Sequence, residues 1–397
     1  MNVPELLAGR RICVCAGSGG VGKTTTSAVI GLGMAARGLR VCVITIDPAR
    51  RLATALGLNE LSNEPRRVDV ARWRTGLTPG TGDPPGTAAD VEPAAGELWA
   101  MMLDPKQTFD DLIDAAAPTV ERAAAIKANG IYRQLSSAVA GSQEFTAVSK
   151  LYELAQSDRF DLLVLDTPPA RNALDFLEAP QRLTGFLDGR ALQALARPTG
   201  LGVRLLGVGA APLLSGLKRI TGLDLVSDIT TFLGLLGPMA ETFGHRARAV
   251  EALLRSPETA FLLIASAQAG SIDEAVWFAE SLERRQLPFS GVIVNRFHHD
   301  LVGPTPLGDL EAALTAALGG DTDLAVRVAE TMAAYHALAV RDDAELDRLR
   351  TRLGEVPLLA VPQFDAEITD VSGLARIHAY LFGSEAERAA LIATLTA

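Results

Sequence analysis

Residues 17–24 read Gly-Ser-Gly-Gly-Val-Gly-Lys-Thr, a glycine, four residues, then Gly-Lys-Thr, which is the spacing of a phosphate-cradling Walker A loop. Glycines let successive backbone N–H groups turn toward a β-phosphate. A lysine neutralises charge beside the β and γ oxygens, and a threonine hydroxyl can ligate Mg2+. The reading is an ATP site built from Gly17, Ser18, Gly19, Gly20, Val21, Gly22, Lys23, Thr24 and Thr25, with the helix expected near Lys23 adding its positive N-terminal end. The same stretch contains Gly17-x-Gly19-x-x-Gly22, and Asp47 follows at about the spacing of the acid in a dinucleotide-binding turn. Lys23-Thr24 directly after the last glycine favours the triphosphate, because these residues serve a triphosphate with Mg2+ and have no role in the dinucleotide fingerprint.

Two carboxylates extend the site. In FDLLVLDTPPAR, residues 160–171, Asp166 follows an apolar strand at once, where it can hold Mg2+ through water beside the phosphates. In VCVITIDPARR, residues 41–51, Asp47 ends the neighbouring strand and is expected to orient the water that attacks the γ-phosphate. Its alternative role is a helix N-cap.

The elements that position these residues are short apolar, β-branched runs at 12–16, 41–46, 162–165, 261–265 and 292–294, with helical segments between them. That alternation predicts an α/β fold, a mostly parallel sheet flanked by helices. One domain over 1–397 is expected, with a helical subdomain inserted at about 105–157 and 173–254. The Gly-, Pro- and Thr-rich stretch at 75–96 is expected to be a mobile surface loop.

Composition narrows the class. A net charge of −10 with 48% hydrophobic residues describes a globular protein that repels polyanions, so nucleic acid is not an expected partner. Cys13, Cys15 and Cys42 lie in runs read as adjacent strands, as buried reduced thiols. Two further ligands of plausible spacing are missing, so no zinc is expected. The N-terminus enters a glycine-rich loop and not a cleavage site, and the apolar stretches at 205–217 and 229–240 are shorter than the roughly 20 residues that cross a bilayer. A cytoplasmic location is expected, with peripheral membrane association compatible with it.

GGVGKTT, IDPAR, AMMLDPKQTFDDL, DTPPARNALDFLEAP and VIVNRF occur in this order, and together they resemble the arsenite-pump and tail-anchored-protein-targeting ATPases of the deviant Walker A class, over most of the chain. The resemblance implies that Asp47 lies in a first nucleotide-sensing switch and residues 166–171 in a second. It also implies that Asn295 reads adenine, that Val361 and Pro362 start a loop bordering the base, and that subunits work as dimers closing over ATP. The family's loop has lysine where this chain has Ser18, as in an actinobacterial-type subunit lacking the signature lysine. That lysine reaches the partner's nucleotide, so the expectation is a weak ATPase alone, completed by a homologous lysine-bearing subunit unless Arg50 or Arg51 substitutes. The second switch reads Pro-Pro-Ala-Arg, and the family's zinc and metalloid cysteines are absent. The targeting members hold hydrophobic membrane segments in an apolar groove. The corresponding groove residues here are Leu205, Leu206, Leu213, Leu214, Leu217, Phe232, Leu233 and Leu236. The expected function is an ATPase that couples nucleotide state to dimer opening and closing around a membrane-protein client. The alternative is a regulatory ATPase subunit of a membrane-associated transport complex, without a groove.

Overall fold

The computed structural model describes residues 1–47, 51–69, 96–130, 132, 142–168, 231–232, 234–236, 239–365, 368 and 371–396. Eight strands form one sheet: β1 (Ile12–Gly17), β2 (Arg40–Thr45), β3 (Arg66–Val68), β4 (Glu97–Met102), β5 (Leu162–Asp166), β6 (Thr259–Ser266), β7 (Phe289–Phe297) and β8 (Leu358–Pro362). Their order is β3-β4-β2-β5-β1-β6-β7-β8. Every described pairing is parallel except β3 with β4. The parallel α/β expectation holds.

Each face of the sheet has its own core, because alternate side chains of a strand point to opposite faces. On one face Cys13, Cys15, Val41, Val43, Val164 and Ile264 pack with α1 (Val3–Leu6), α2 (Lys23–Ala36), α3 (Arg51–Ala55) and the late helix Val371–Phe382. On the other, Ile12, Val14, Cys42, Ile44, Leu165 and Leu263 pack with α4 (Pro105–Ala116), α5 (Val120–Ala128), α6 (Ser142–Gln156), α7 (Ala240–Arg255), α8 (Ala269–Arg284) and the end of α10 (Thr322–Leu353), which follows α9 (Leu307–Ala317). The Val371–Phe382 helix is α11, and α12 (Glu385–Thr396) follows it. No helix among the described residues is long and apolar enough to cross a membrane.

The structure adds to or corrects several expectations. β1 and β2 are not adjacent, because β5 lies between them. All three cysteines are buried and free, but Cys42 faces the core opposite Cys13 and Cys15. Strands β3, β4 and β8 carry too little β-branched character to stand out in the sequence: β4 reads ELWAMM and β8 reads LLAVP. Val361 and Pro362 therefore end β8 and do not start a loop, and Val361 is buried in the core. Residues 75–95 of the 75–96 stretch and most of the 173–254 block lie outside the described residues.

Candidate nucleotide site

The loop that follows β1 is shaped by backbone requirements before any ligand is considered. Gly22 is the N-cap of α2 with φ +94°, a left-handed conformation that penalises a side chain. A Cβ there would also lie 2.3 Å from Nδ2 of Asn295. That amide donates to the Val21 carbonyl at 2.8 Å, so Asn295, at the end of β7, braces the loop from the side. No side chain caps α2, and its first N–H groups stay available to an anion.

Lys23 is buried, and its Nζ donates to the carbonyls of Gly17 at 3.0 Å and Ser18 at 2.7 Å. Burial lowers its pKa from the ordinary lysine value, while Asp166 and Asp47 oppose that shift. The ammonium therefore folds back over the loop in the field of both carboxylates. Ser18 is turned toward α8, its hydroxyl 3.4 Å from that of Ser271. Ser271 in turn accepts the Ser266 N–H at 3.0 Å.

Asp166, at the end of β5, is 1% exposed. Its Oδ2 accepts the hydroxyl of Thr24 at 2.7 Å and that of Thr45 at 2.9 Å. One carboxylate oxygen thus ties the first turn of α2 to the end of β2. Thr45 also accepts the Asp47 N–H at 3.2 Å. Oδ1 of Asp166 is buried without a hydrogen-bond partner, and burial, offset in part by the two threonines, pushes the carboxyl up to about 6. An orphaned carboxylate oxygen beside a threonine hydroxyl suits a hard, oxygen-seeking cation such as Mg2+, so the residues present fit the metal that the loop implies. Among the described residues no group of three or more His, Cys, Asp or Glu side chains is arranged to hold a metal.

Asp47 is about a third exposed, with Arg51 at 3.9 Å. Thr167 is held on the Cys15 carbonyl at 2.8 Å. Beside the loop a cleft of about 260 Å3 is lined by Gly19, Gly20, Val21, Ser266, Ala267, Gln268, Arg296, His298, Arg341, Asp342 and Gln363. Its far wall is fixed to α10. Asp342, 1% exposed, accepts the His298 backbone N–H at 3.1 Å, pairs with the His298 ring at 2.7 Å and takes the Arg341 guanidinium at 2.7 Å.

A family model for the CobQ/CobB/MinD/ParA nucleotide-binding domain matches residues 12–319. The chain belongs to this family. Its relatives include arsenical-pump and GET3 ATPases. A putative arsenical pump-driving ATPase of Halobacterium salinarum is 30% identical over 186 residues, 47% of this chain and 26% of the relative. The ATPase GET3 of Rhodotorula glutinis is 25% identical over 281 residues, 70% of this chain and 68% of the relative. The ATPase ARSA1 of Chlamydomonas reinhardtii is 24% identical over 399 residues, 93% of this chain and 43% of the relative. The chain thus spans about a quarter of the length of the first of these proteins and 43% of the third.

The structure brings Lys23, Thr24 and Asp166 together, with Asp47 and Asn295 at the margins. Arg50, residues 169–171, Leu205, Leu206, Leu213, Leu214, Leu217 and Leu233 lie outside the described residues. Phe232 and Leu236 are buried in the core, and the Phe232 ring lies 6.4 Å from that of Tyr132. Sequence reasoning missed Thr45, whose one signal was its place at the end of a strand two residues before Asp47. It also missed Arg296, for which only the neighbouring Asn295 could have served as a pointer.

Proposed function

We propose that the chain binds ATP with Mg2+ at residues 17–25 and hydrolyses it. The observation that carries this reading is the Thr24–Asp166–Thr45 junction, with its orphaned carboxylate oxygen beside a buried lysine. Gly17 to Thr25 bind the phosphates through backbone N–H groups, and Lys23 supplies the cation nearest them. Thr24 and Asp166, the latter through water, would hold Mg2+, which when bound neutralises charge on the β and γ oxygens. Asp47 orients water for attack, and Asn295 together with the end of β8 borders the base.

In this reading nucleotide state opens and closes a dimer. The second subunit is another copy of the chain or a lysine-bearing homologue, and the client is a hydrophobic membrane-protein segment held by the helical region. Kinship with GET3 supports these steps, and the reading places the chain in the cytoplasm with access to membranes.

Calorimetry of Mg-ATP binding tests the core of the proposal. Lys23→Ala should weaken affinity by about 100-fold or more, the scale of losing a buried charge-assisted contact. Unchanged affinity in a folded variant would overturn the site.

A further inference from the structure

Among the described residues, Arg296 stands out near the loop because its side chain has no ion-pair partner. Within the described residues it makes no hydrogen bond or ion pair, and it is exposed at the cleft that Gly19, Gly20 and Val21 also line. The other described basic groups near the loop each have a partner. Lys23 donates to the loop's own carbonyls, Arg51 faces Asp47 at 3.9 Å, and Arg341 is bound through two nitrogens to Asp342. His298 is tied to the same carboxylate.

The backbone at Arg296 is unusual as well. Its φ is +58°, the left-handed region that strains a non-glycine residue. The pairing of β7 with β8 shifts register between Val294 and Phe297 at the same place. Irregularities of this kind re-aim a side chain at the end of a strand. Here the irregularity puts Asn295 against the loop and leaves Arg296 at the cleft. Ser18, meanwhile, faces Ser271 and brings no charge.

We propose that Arg296 is a second cation of the nucleotide site, binding the phosphates of ATP held by its own chain and contributing positive charge that Ser18 cannot. This rests on the ATP reading above. A planar, permanently charged guanidinium suits an anionic oxygen, and at the mouth of a glycine loop it adds to the field of Lys23 and the α2 N-terminus. The site so completed has its charge in one chain.

Calorimetry with Mg-ATP on the full chain, repeated from low to moderate salt, is the test. The variants are Arg296→Gln, Arg296→Lys and, in parallel, Lys23→Ala, each with its melting temperature recorded. Arg296→Gln should bind about ten-fold more weakly or worse, with an unchanged melting temperature and a shallower salt dependence, and Arg296→Lys should recover most of that loss. Binding by Arg296→Gln equal to that of the unaltered chain, while Lys23→Ala loses it, overturns the role of Arg296 alone. Equal losses in the Gln and Lys variants overturn it too, because shape and not charge would then be the contribution. Full binding by Lys23→Ala removes the ATP reading itself, and this proposal with it.

Discussion

Two carboxylates lie at neighbouring strand ends, Asp166 as the last residue of β5 and Asp47 two residues beyond β2, and their surroundings differ. Asp166 is buried and spends one oxygen on two threonine hydroxyls, so replacing it would disturb the loop as well as any cation. Asp47 is a third exposed, and its ion pair with Arg51 at 3.9 Å is loose and solvated. Such a pair contributes at most about 1 kcal/mol to stability. Asp47→Asn should therefore fold normally and hold ATP, while turnover falls by about 100-fold or more, as expected when a water-positioning group is lost. Binding titrations beside single-turnover assays check this, and a matching loss of affinity would make Asp47 a holding residue instead. The glycines, Lys23 and Thr24 were picked out by the fixed spacing of a phosphate loop, and Asp47 and Asp166 by their places at the ends of apolar strands. Arg296 was not, because its place depends on a strand irregularity that leaves no mark in residue type.

Among the elements, the strands found from sequence were those with apolar runs rich in Val, Ile and Leu, such as VCVIT in β2 and LLVLD in β5. Strand order was not legible: sequence proximity suggested that β1 adjoins β2, and long-range pairing placed β5 between them. The packing of α11 on α2 was equally hidden, and it carries a titratable group. The His378 ring stacks on Phe382 with centroids 4.4 Å apart, and Arg37 at the end of α2 lies over that same Phe382 ring at 4.7 Å. Burial, helped by the charge of Arg37, lowers the imidazole to about 4, against an unfolded value of about 6.5. Between those values the unfolded chain binds the extra proton and the native one does not. The associated stability is thus present above about pH 6.5 and is lost as the pH falls toward 4, up to roughly 3 kcal/mol. Urea denaturation at pH 7 and pH 4.5 should show a larger acid loss in the unaltered chain than in His378→Gln. Equal losses would mean that other groups set the acid sensitivity.

At the scale of the whole molecule, two cores lie on either side of one sheet, and the site sits where the strands' carboxyl ends meet. Ligands of open parallel sheets bind at that edge. The family match ends at residue 319, yet α10 and β8 beyond it complete the cleft through Arg341, Asp342 and Gln363. The pocket is therefore assembled from both ends of the chain.

The place of β1 in the sheet also sets a timetable for synthesis. The Walker loop is translated well before the strands that flank β1, because β1 pairs with β5 and β6, so Ile12 meets Leu163 and Thr259. The amide that braces Val21 comes from Asn295. At about 5–20 residues per second, tens of seconds separate translation of the loop from translation of its supports, and such distant pairings are slow to close. A nascent chain should consequently carry the complete phosphate signature in a form unable to use it. Stalled ribosome complexes of increasing length are expected to capture a fluorescent ATP analogue only once Phe297 has cleared the exit tunnel. Capture by a chain halted at Ser256 would show that the loop assembles without β6 and β7. On the ATP reading, the newborn protein should be blind to the cell's ATP until that point, however much of it is present.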